Sequence, residues 1–276
     1  MVNENAVSQH YTHGDLLGVI QASLGKIGKS TDTVTIEDLA PVDEFHTGGR
    51  IATENLLSQL NFSADDHILD VGCGLGGAAR YVASRIRNRV TGIDLTQEYI
   101  DTGNQLCSWV GLDGHVTLQQ GSALAMTFDS ASFDGAYMLH VGMNIEDKAK
   151  LFGEVYRVLR PGTSFGIFDM MRTGDGALTY PVPWANEDHT SRLATPEQYR
   201  EALEAAGFEV SATNNRRDFA LDFFKQMKAK TEANGGPPPI GLHLLMQDST
   251  PVKVKNMVDN IAAGLIAPVE IIARKS

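Results

Sequence analysis

Short apolar runs alternate with amphipathic segments along most of the chain. Runs rich in Val, Ile and Leu predict seven strands, over residues 67–71, 90–94, 116–119, 133–139, 164–170, 208–213 and 269–274. Apolar residues spaced three and four apart predict helices over 54–60, 77–87, 97–110, 147–159 and 195–206. This alternation predicts an α/β fold with a doubly wound, mostly parallel seven-stranded sheet, whose ligand edge lies at the carboxyl ends of the strands.

Three segments do not follow the alternation, namely residues 1–53, 172–192 and 219–267. The last contains Gly235-Gly-Pro-Pro-Pro239, which separates two predicted helices. The pattern leaves open whether these segments cover a ligand, form surface helices or contact a second subunit.

Two local interpretations concern polar residues at helix ends. Arg80, Arg85, Arg87 and Arg89 are expected to face water or to stabilise the carboxyl end of helix 77–87. Thr96 is a candidate cap for helix 97–110.

Composition narrows the class of protein. The 276 residues carry a net charge of −11, which argues against binding to nucleic acid phosphates. The first ten residues lack the pattern of a secretory signal, and no apolar run is long enough to span a membrane. The two cysteines have neither metal-site nor disulfide spacing, so no metal is expected. We therefore predict a cytoplasmic enzyme.

A glycine-rich loop between strand 67–71 and the next helix is the strongest candidate binding site. Its bare peptide N–H groups and the helix amino end suit the polar part of a cofactor. The spacing Gly72-x-Gly74-x-x-Gly77, followed by Asp94, also fits a dinucleotide fingerprint. Asp70 lies in an otherwise apolar strand, where desolvation favours a cationic ligand group as its partner.

Three motifs in order resemble the class I S-adenosylmethionine-dependent methyltransferases. They are Leu69-Asp-Val-Gly-Cys-Gly-Leu-Gly76, Val90-Thr-Gly-Ile-Asp94 and Arg157-Val-Leu-Arg-Pro-Gly162. The segment Phe45-His-Thr-Gly-Gly-Arg50 is also similar to small-molecule methyltransferases, including those acting on sarcosine and dimethylglycine. The resemblance covers residues 56–208 and implies a Rossmann-like core under a helical cap.

The same resemblance implies a domain organisation. Residues 1–53 would form an N-terminal arm and cap, and residues 54–214 the cofactor-binding core. Residues 215–267 would form a helical lid, followed by a last core strand at 268–276.

The resemblance further implies a cofactor pocket. Its expected residues are Asp70, Gly72, Gly74, Gly76, Asp94, Leu95, Gly121, Ser122 and Ala123. The Asp94 carboxylate offers paired acceptors to the ribose hydroxyls, and Leu95 would flank the adenine. Ser122 stands where the family often has an Asp for the adenine amino group, so that contact is weaker here.

Methyl transfer by in-line displacement would leave S-adenosylhomocysteine and methylate N, O or C of a small-molecule acceptor. His140 is the candidate general base, because it ends strand 133–139 at the ligand edge and titrates near neutrality. The alternative is a wall residue that only orients the acceptor. Trp184 would stack on an aromatic acceptor, attract a cationic one, or pack its loop onto the core.

Two other functions stay open from the sequence. A nicotinamide-dependent oxidoreductase would need a hydride site such as Tyr-x-x-x-Lys, but Tyr156 is followed by Arg160 and Tyr199 by Leu203. A protein that binds the cofactor without methyltransferase turnover would carry the same loop. The sequence also leaves a homodimer open.

Overall fold

The computed structural model describes residues 4–276, so the first three residues of the predicted arm lie outside the described part. Seven strands form its sheet: β1 (His67–Val71), β2 (Arg89–Asp94), β3 (Val116–Gln120), β4 (Phe133–Leu139), β5 (Leu159–Arg172), β6 (Phe208–Asn215) and β7 (Ile266–Lys275). The helices are α1 (Glu4–Tyr11), α2 (Leu16–Lys26), α3 (Ile36–Asp43), α4 (Gly49–Leu57), α5 (Gly77–Ile86), α6 (Gln97–Trp109), α7 (Lys148–Val158), α8 (Pro196–Ala206), α9 (Arg217–Ala233), α10 (His243–Met246) and α11 (Thr250–Ala262).

The strand order confirms the predicted sheet. The strands lie in the order β3-β2-β1-β4-β5-β7-β6. Strands β1 to β5 pair in parallel, and β7 runs antiparallel between β5 and β6. The order in which successive strands are added to the sheet reverses between β1 and β4. Open α/β sheets bind their ligands at such a switch point.

Two strands start several residues earlier than predicted. β7 starts at Ile266 rather than 269, because its ladder with β5 continues to the pair Arg172 and Ile266. β5 starts at Leu159, which pairs with Phe133. Pro161 and Gly162, a pair typical of turns, therefore lie inside β5, where Gly162 has φ +79°.

The helix predicted over 54–60 is displaced toward the amino terminus. α4 runs from Gly49 to Leu57, and Gly48 precedes it with φ +89°. A Cβ at Gly48 would lie 2.5 Å from the Phe219 ring, so glycine allows α4 to start close to α9.

The core lies on both faces of the sheet. Leu69 and Val71 pack with α7 and α8 on one face, whereas Ile68 packs with α4 and α5 on the other. All three are fully buried, and burying one such side chain contributes about 1.5–3 kcal/mol to folding. Helices α9 and α11 pack on each other and on β7.

The prediction that Arg80 faces water or caps its helix is wrong. Its side chain is fully buried, and its guanidinium contacts the Asp43 carboxylate at 2.5 Å. It also donates to the Gly103 carbonyl at 3.1 Å. The arginine is buried because α3, which carries Asp43, packs against α5.

Thr96 does occupy the cap position of α6, but its side chain makes no capping hydrogen bond. Asp94 instead accepts the Thr96 N–H at 2.9 Å. Glu98, in the first turn of α6, accepts the N–H groups of His13 and Leu16 and so fixes the N-terminal segment to the core. Within residues 4–276, no helix combines the length and apolar character needed to span a bilayer.

Candidate functional site

The glycine loop is tied to the neighbouring strand and open toward the ligand edge. The N–H groups of Gly72 and Cys73 donate to the Ile93 carbonyl at 2.8 and 2.9 Å. Gly74 has φ +53°, and a Cβ there would meet nothing within 4 Å. Bare backbone at Gly74 therefore faces open space, as a cofactor cradle requires.

Gly72 and Gly76 must be glycine because a side chain at either position would clash with a neighbouring residue. A Cβ on Gly72 would lie 2.3 Å from Val141, and one on Gly76 would lie 2.7 Å from Leu118. Both also have left-handed φ angles, +72° and +76°. Gly76 lies behind the loop and does not line the cavity described below, so its contact with a cofactor stays a prediction.

Asp94 joins the loop to α6. One carboxylate oxygen accepts the Gly74 N–H at 3.0 Å and the other accepts the Thr96 N–H at 2.9 Å. Desolvation raises the pKa of Asp94, and these backbone hydrogen bonds act against that rise. Since a carboxylate oxygen can accept more than one hydrogen bond, both oxygens keep acceptor capacity for a ligand diol.

Asp70 is a buried carboxylate with a neutral partner. Its side chain is 2% exposed and accepts the Tyr137 hydroxyl at 3.0 Å. Burial raises its pKa to about 8. A cationic ligand group would stabilise the ionised form, as the sequence suggested.

Helix α1 crosses the ends of three strands at this edge, and the sequence interpretation missed it. Glu4 contacts the Ser122 hydroxyl, and the Ser8 hydroxyl donates to the Leu95 carbonyl at 3.4 Å. The Tyr11 hydroxyl lies 3.5 Å from the Asn144 side-chain oxygen. Because α1 has no buried residue, its sequence carries little apolar periodicity from which to predict a helix.

His140 follows β4 in a left-handed conformation, with φ +55°. Its ring stacks on Phe168 at a centroid distance of 5.3 Å and meets the His46 ring edge-on at 6.0 Å. Its Nε2 is buried without a hydrogen-bond partner among residues 4–276. Desolvation and the nearby His46 hold the pKa of His140 well below its usual value, so the imidazole is neutral near pH 7.

A buried carboxylate lies beside His46. Glu44 is 3% exposed and accepts hydrogen bonds from Arg50 and from the Thr53 hydroxyl. The His46 Nε2 lies 3.0 Å from the Thr53 oxygen and 3.1 Å from the Gly49 carbonyl. Since the Thr53 proton points to Glu44, the geometry assigns the His46 proton to Nε2.

One cavity of about 1690 Å³ connects these groups. It is lined by all the predicted cofactor-binding residues except Gly76, and also by His140 and Trp184. Trp184 is 3% exposed, packs in the cluster that contains Met257, and donates its Nε1–H to Ser191 at 3.0 Å. It therefore packs its loop onto the core and also forms part of the cavity wall. Across residues 4–276, no three His, Cys, Asp or Glu side chains converge as a metal site would require.

Comparison with known proteins gives the family. A profile described as "Methyltransferase domain" matches residues 69–167. O-methyltransferase resE of Aspergillus sclerotiorum is 31% identical over 187 residues, which are 65% of this chain and 70% of resE. Sterol 24-C-methyltransferase erg-4 of Neurospora crassa is 31% identical over 177 residues, 62% of this chain; the match spans only 47% of erg-4.

A solved structure of geranyl diphosphate C-methyltransferase from Streptomyces coelicolor has the same fold. It is 19% identical, with a TM-score of 0.71 over 100% of this chain and 98% of that one. The chain belongs to the class I S-adenosylmethionine-dependent methyltransferases. S-adenosylmethionine is the cofactor of this family, and the core is Rossmann-like, as the sequence indicated.

Proposed function

We propose that this protein transfers a methyl group from S-adenosylmethionine to a small-molecule acceptor. One observation carries the proposal: the carboxylate of Asp94 is fixed against Gly74, whose open face borders the same cavity as His140. A cofactor site and a candidate proton acceptor therefore share one cavity.

The cavity offers groups of opposite charge for the amino-acid end of the cofactor. The raised pKa of Asp70 reflects a carboxylate that has no cation beside it, which suits an α-amino group. Arg50 has a buried Nη2 with no hydrogen-bond partner within residues 4–276, which suits an α-carboxylate. We assign the ribose hydroxyls to Asp94, and the adenine to Leu95 and the turn at residues 121–123.

Once bound, the sulfonium supplies an already activated methyl group, so alignment and exclusion of water contribute most of the catalysis. His140 would accept the proton that leaves a hydroxyl or amine nucleophile, because a neutral imidazole has a free ring nitrogen. Helix α1 would help to exclude water, since it contacts Leu95, Ser122 and Asn144.

Calorimetry and mass spectrometry together test this function. We expect S-adenosylhomocysteine to bind and NAD to give no heat. Incubation with S-adenosylmethionine and a panel of acceptors should add one methyl group to at least one of them. Binding of NAD without S-adenosylhomocysteine would support the oxidoreductase alternative. Cofactor binding with no methylated product across the panel would support a protein without turnover. The cytoplasmic location, the homodimer and the division into arm, core and lid stay predictions.

A further inference from the structure

Part of the cavity wall is apolar. Aromatic and aliphatic side chains from the loop after β5 and from helices α9 to α11 form it: Trp184, Phe223, Phe224, Leu245, Val254 and Met257. Small-molecule sites usually occupy about 300–1,000 Å³. A cavity of about 1690 Å³ therefore has room for the cofactor and for a second ligand of comparable size.

The positive charges that line the cavity are not available to an anionic acceptor. Lys150 and Lys230 are both exposed, so water screens their charges. Among the described residues, Arg50 is the remaining lining cation apart from His46, His140 and the half-buried His243. Glu44 offsets the charge of Arg50, and the Arg50 Nη2, left without a partner within residues 4–276, is the group assigned above to the cofactor carboxylate. His46 and His140 are neutral near pH 7, because burial lowers the pKa of each.

The buried carboxylates either pair with an arginine or lie beside the glycine loop. Glu44 pairs with Arg50, and Asp43 pairs with Arg80. Asp70 and Asp94 lie on the glycine-loop side, at the ends of β1 and β2. A charged acceptor would thus lose its hydration in the apolar part of the cavity without gaining a buried counter-charge, which is costly for either sign.

We infer that the acceptor is an uncharged, largely apolar molecule that presents one hydroxyl or neutral amine to His140. This inference rests on the proposed function and specifies its substrate class. His140 lines the same cavity, where its ring stacks on Phe168 and its Nε2 has no partner within residues 4–276. A phosphorylated or carboxylated acceptor lacks a buried positive charge in the apolar part of the cavity.

Matched fluorescent probes test the inference on the whole protein saturated with S-adenosylhomocysteine. N-phenyl-naphthylamine is uncharged, anilinonaphthalene sulfonate adds one negative charge to the same ring system, and an anilinonaphthalene that bears a methylammonium group adds one positive charge to it. We expect the uncharged probe to bind at least ten times more tightly than either ion. Equal or tighter binding of an ion would overturn the inference.

A pair of variants on α11 locates the probe. Met257 lines the cavity and is 5% exposed, whereas Val252 is 43% exposed on the same helix. Met257→Lys should abolish binding of the uncharged probe and strengthen binding of the sulfonate, whereas Val252→Lys should change neither. Unchanged probe binding in Met257→Lys would contradict the inference. Because Met257→Lys can impair folding, Val254→Thr, which changes shape little, provides a second test and should weaken the uncharged probe about threefold.

The outcomes separate this inference from the proposed function. If S-adenosylhomocysteine binds but the sulfonate binds as well as the uncharged probe, the acceptor class is wrong and the function stands. If S-adenosylhomocysteine does not bind, the function fails and the acceptor class fails with it.

Discussion

Arg80 and Asp43 form an ion pair in which both side chains are almost completely buried, 0% and 1% exposed. The pair joins α5, which follows the glycine loop, to α3 in the N-terminal arm. Arg80 also donates to Gly103 in α6, so three helices around the cofactor site meet at one guanidinium.

Removing one member of this pair should destabilise the protein strongly. Arg80→Met leaves the Asp43 carboxylate buried without a counter-charge, which costs about 3–5 kcal/mol. Urea unfolding should show that loss, whereas Arg85→Met, at an exposed position on the same helix, should change the free energy of unfolding by less than about 0.5 kcal/mol. Adding Asp43→Asn to Arg80→Met should recover part of the loss. Equal stability of the two single variants would show that the pair does not hold α3 to α5.

Cofactor affinity should depend on pH through Asp70. Its pKa of about 8 in the free protein means that the carboxyl is mainly protonated at lower pH. A cationic amino group binds the ionised form, so affinity for S-adenosylhomocysteine should rise from pH 6.5 to 8 by up to about tenfold per unit. The pKa values of His46 and His140 are both lowered, so these groups titrate below that range.

Calorimetry in buffers of different ionisation enthalpy measures the proton released on binding. Asp70→Asn should bind more weakly and release no proton, whereas Asp65→Asn, at an exposed position before β1, should behave as wild type. Proton release that persists in Asp70→Asn would assign the titration to another group.

His140 should control the rate at low pH. Because its pKa is lowered, the neutral imidazole persists at neutral pH, and activity should fall only as the pH drops below the usual histidine pKa of about 6.5. His140→Gln should reduce kcat at least tenfold and remove this acid limb, which a pH profile of kcat measures. His189→Gln, at a position whose side chain is 76% exposed, is the control. If the pH profile of His140→Gln matches that of wild type, His140 is not the general base and only lines the cavity.

Alanine variants at Gly74 and Gly111 distinguish the effect of backbone strain on cofactor binding from the effect of direct contact with the cofactor. Both have left-handed φ angles, +53° and +68°, and a Cβ at either would meet nothing within 4 Å. Alanine at either position should lower stability by about 1–2 kcal/mol. Only Gly74→Ala adds a methyl group to the cofactor cradle, so it alone should weaken S-adenosylhomocysteine binding, by at least tenfold. Similar binding losses in the two variants would mean that strain, and not contact, is responsible.

The parts of this protein that follow from local pattern were predictable, and the parts that depend on distant partners were not. The apolar run at 67–71 and the glycines after it determine β1 and the loop, because strand burial and positive φ are local requirements. Arg80 was predicted at the surface because its partner, Asp43, lies 37 positions earlier in the chain. Such a pair is visible only after α3 has packed on α5.

The candidate site shows the same division. Asp94 and His140 were predicted because each lies at the carboxyl end of a strand, and Asp70 because it is an acidic residue in an otherwise apolar strand. The contribution of Ser8 and Tyr11 was missed because α1 binds through scattered polar contacts rather than an apolar stripe. The apolar wall was missed for a different reason: α9, α10 and α11 line the cavity together, and no single helix among them predicts it.

Titration of S-adenosylhomocysteine into wild type, Asp94→Ala and Asp101→Ala shows whether Asp94 and the glycine loop bind the cofactor. Asp94 borders the cavity and holds the glycine loop, whereas Asp101 is exposed on α6, where its side chain accepts a hydrogen bond from Gln97. We expect wild type and Asp101→Ala to bind S-adenosylhomocysteine equally. Asp94→Ala should bind it at least tenfold more weakly, a loss of about 1.4 kcal/mol or more in binding free energy. A dissociation constant that is unchanged in Asp94→Ala would contradict this assignment of the cofactor site.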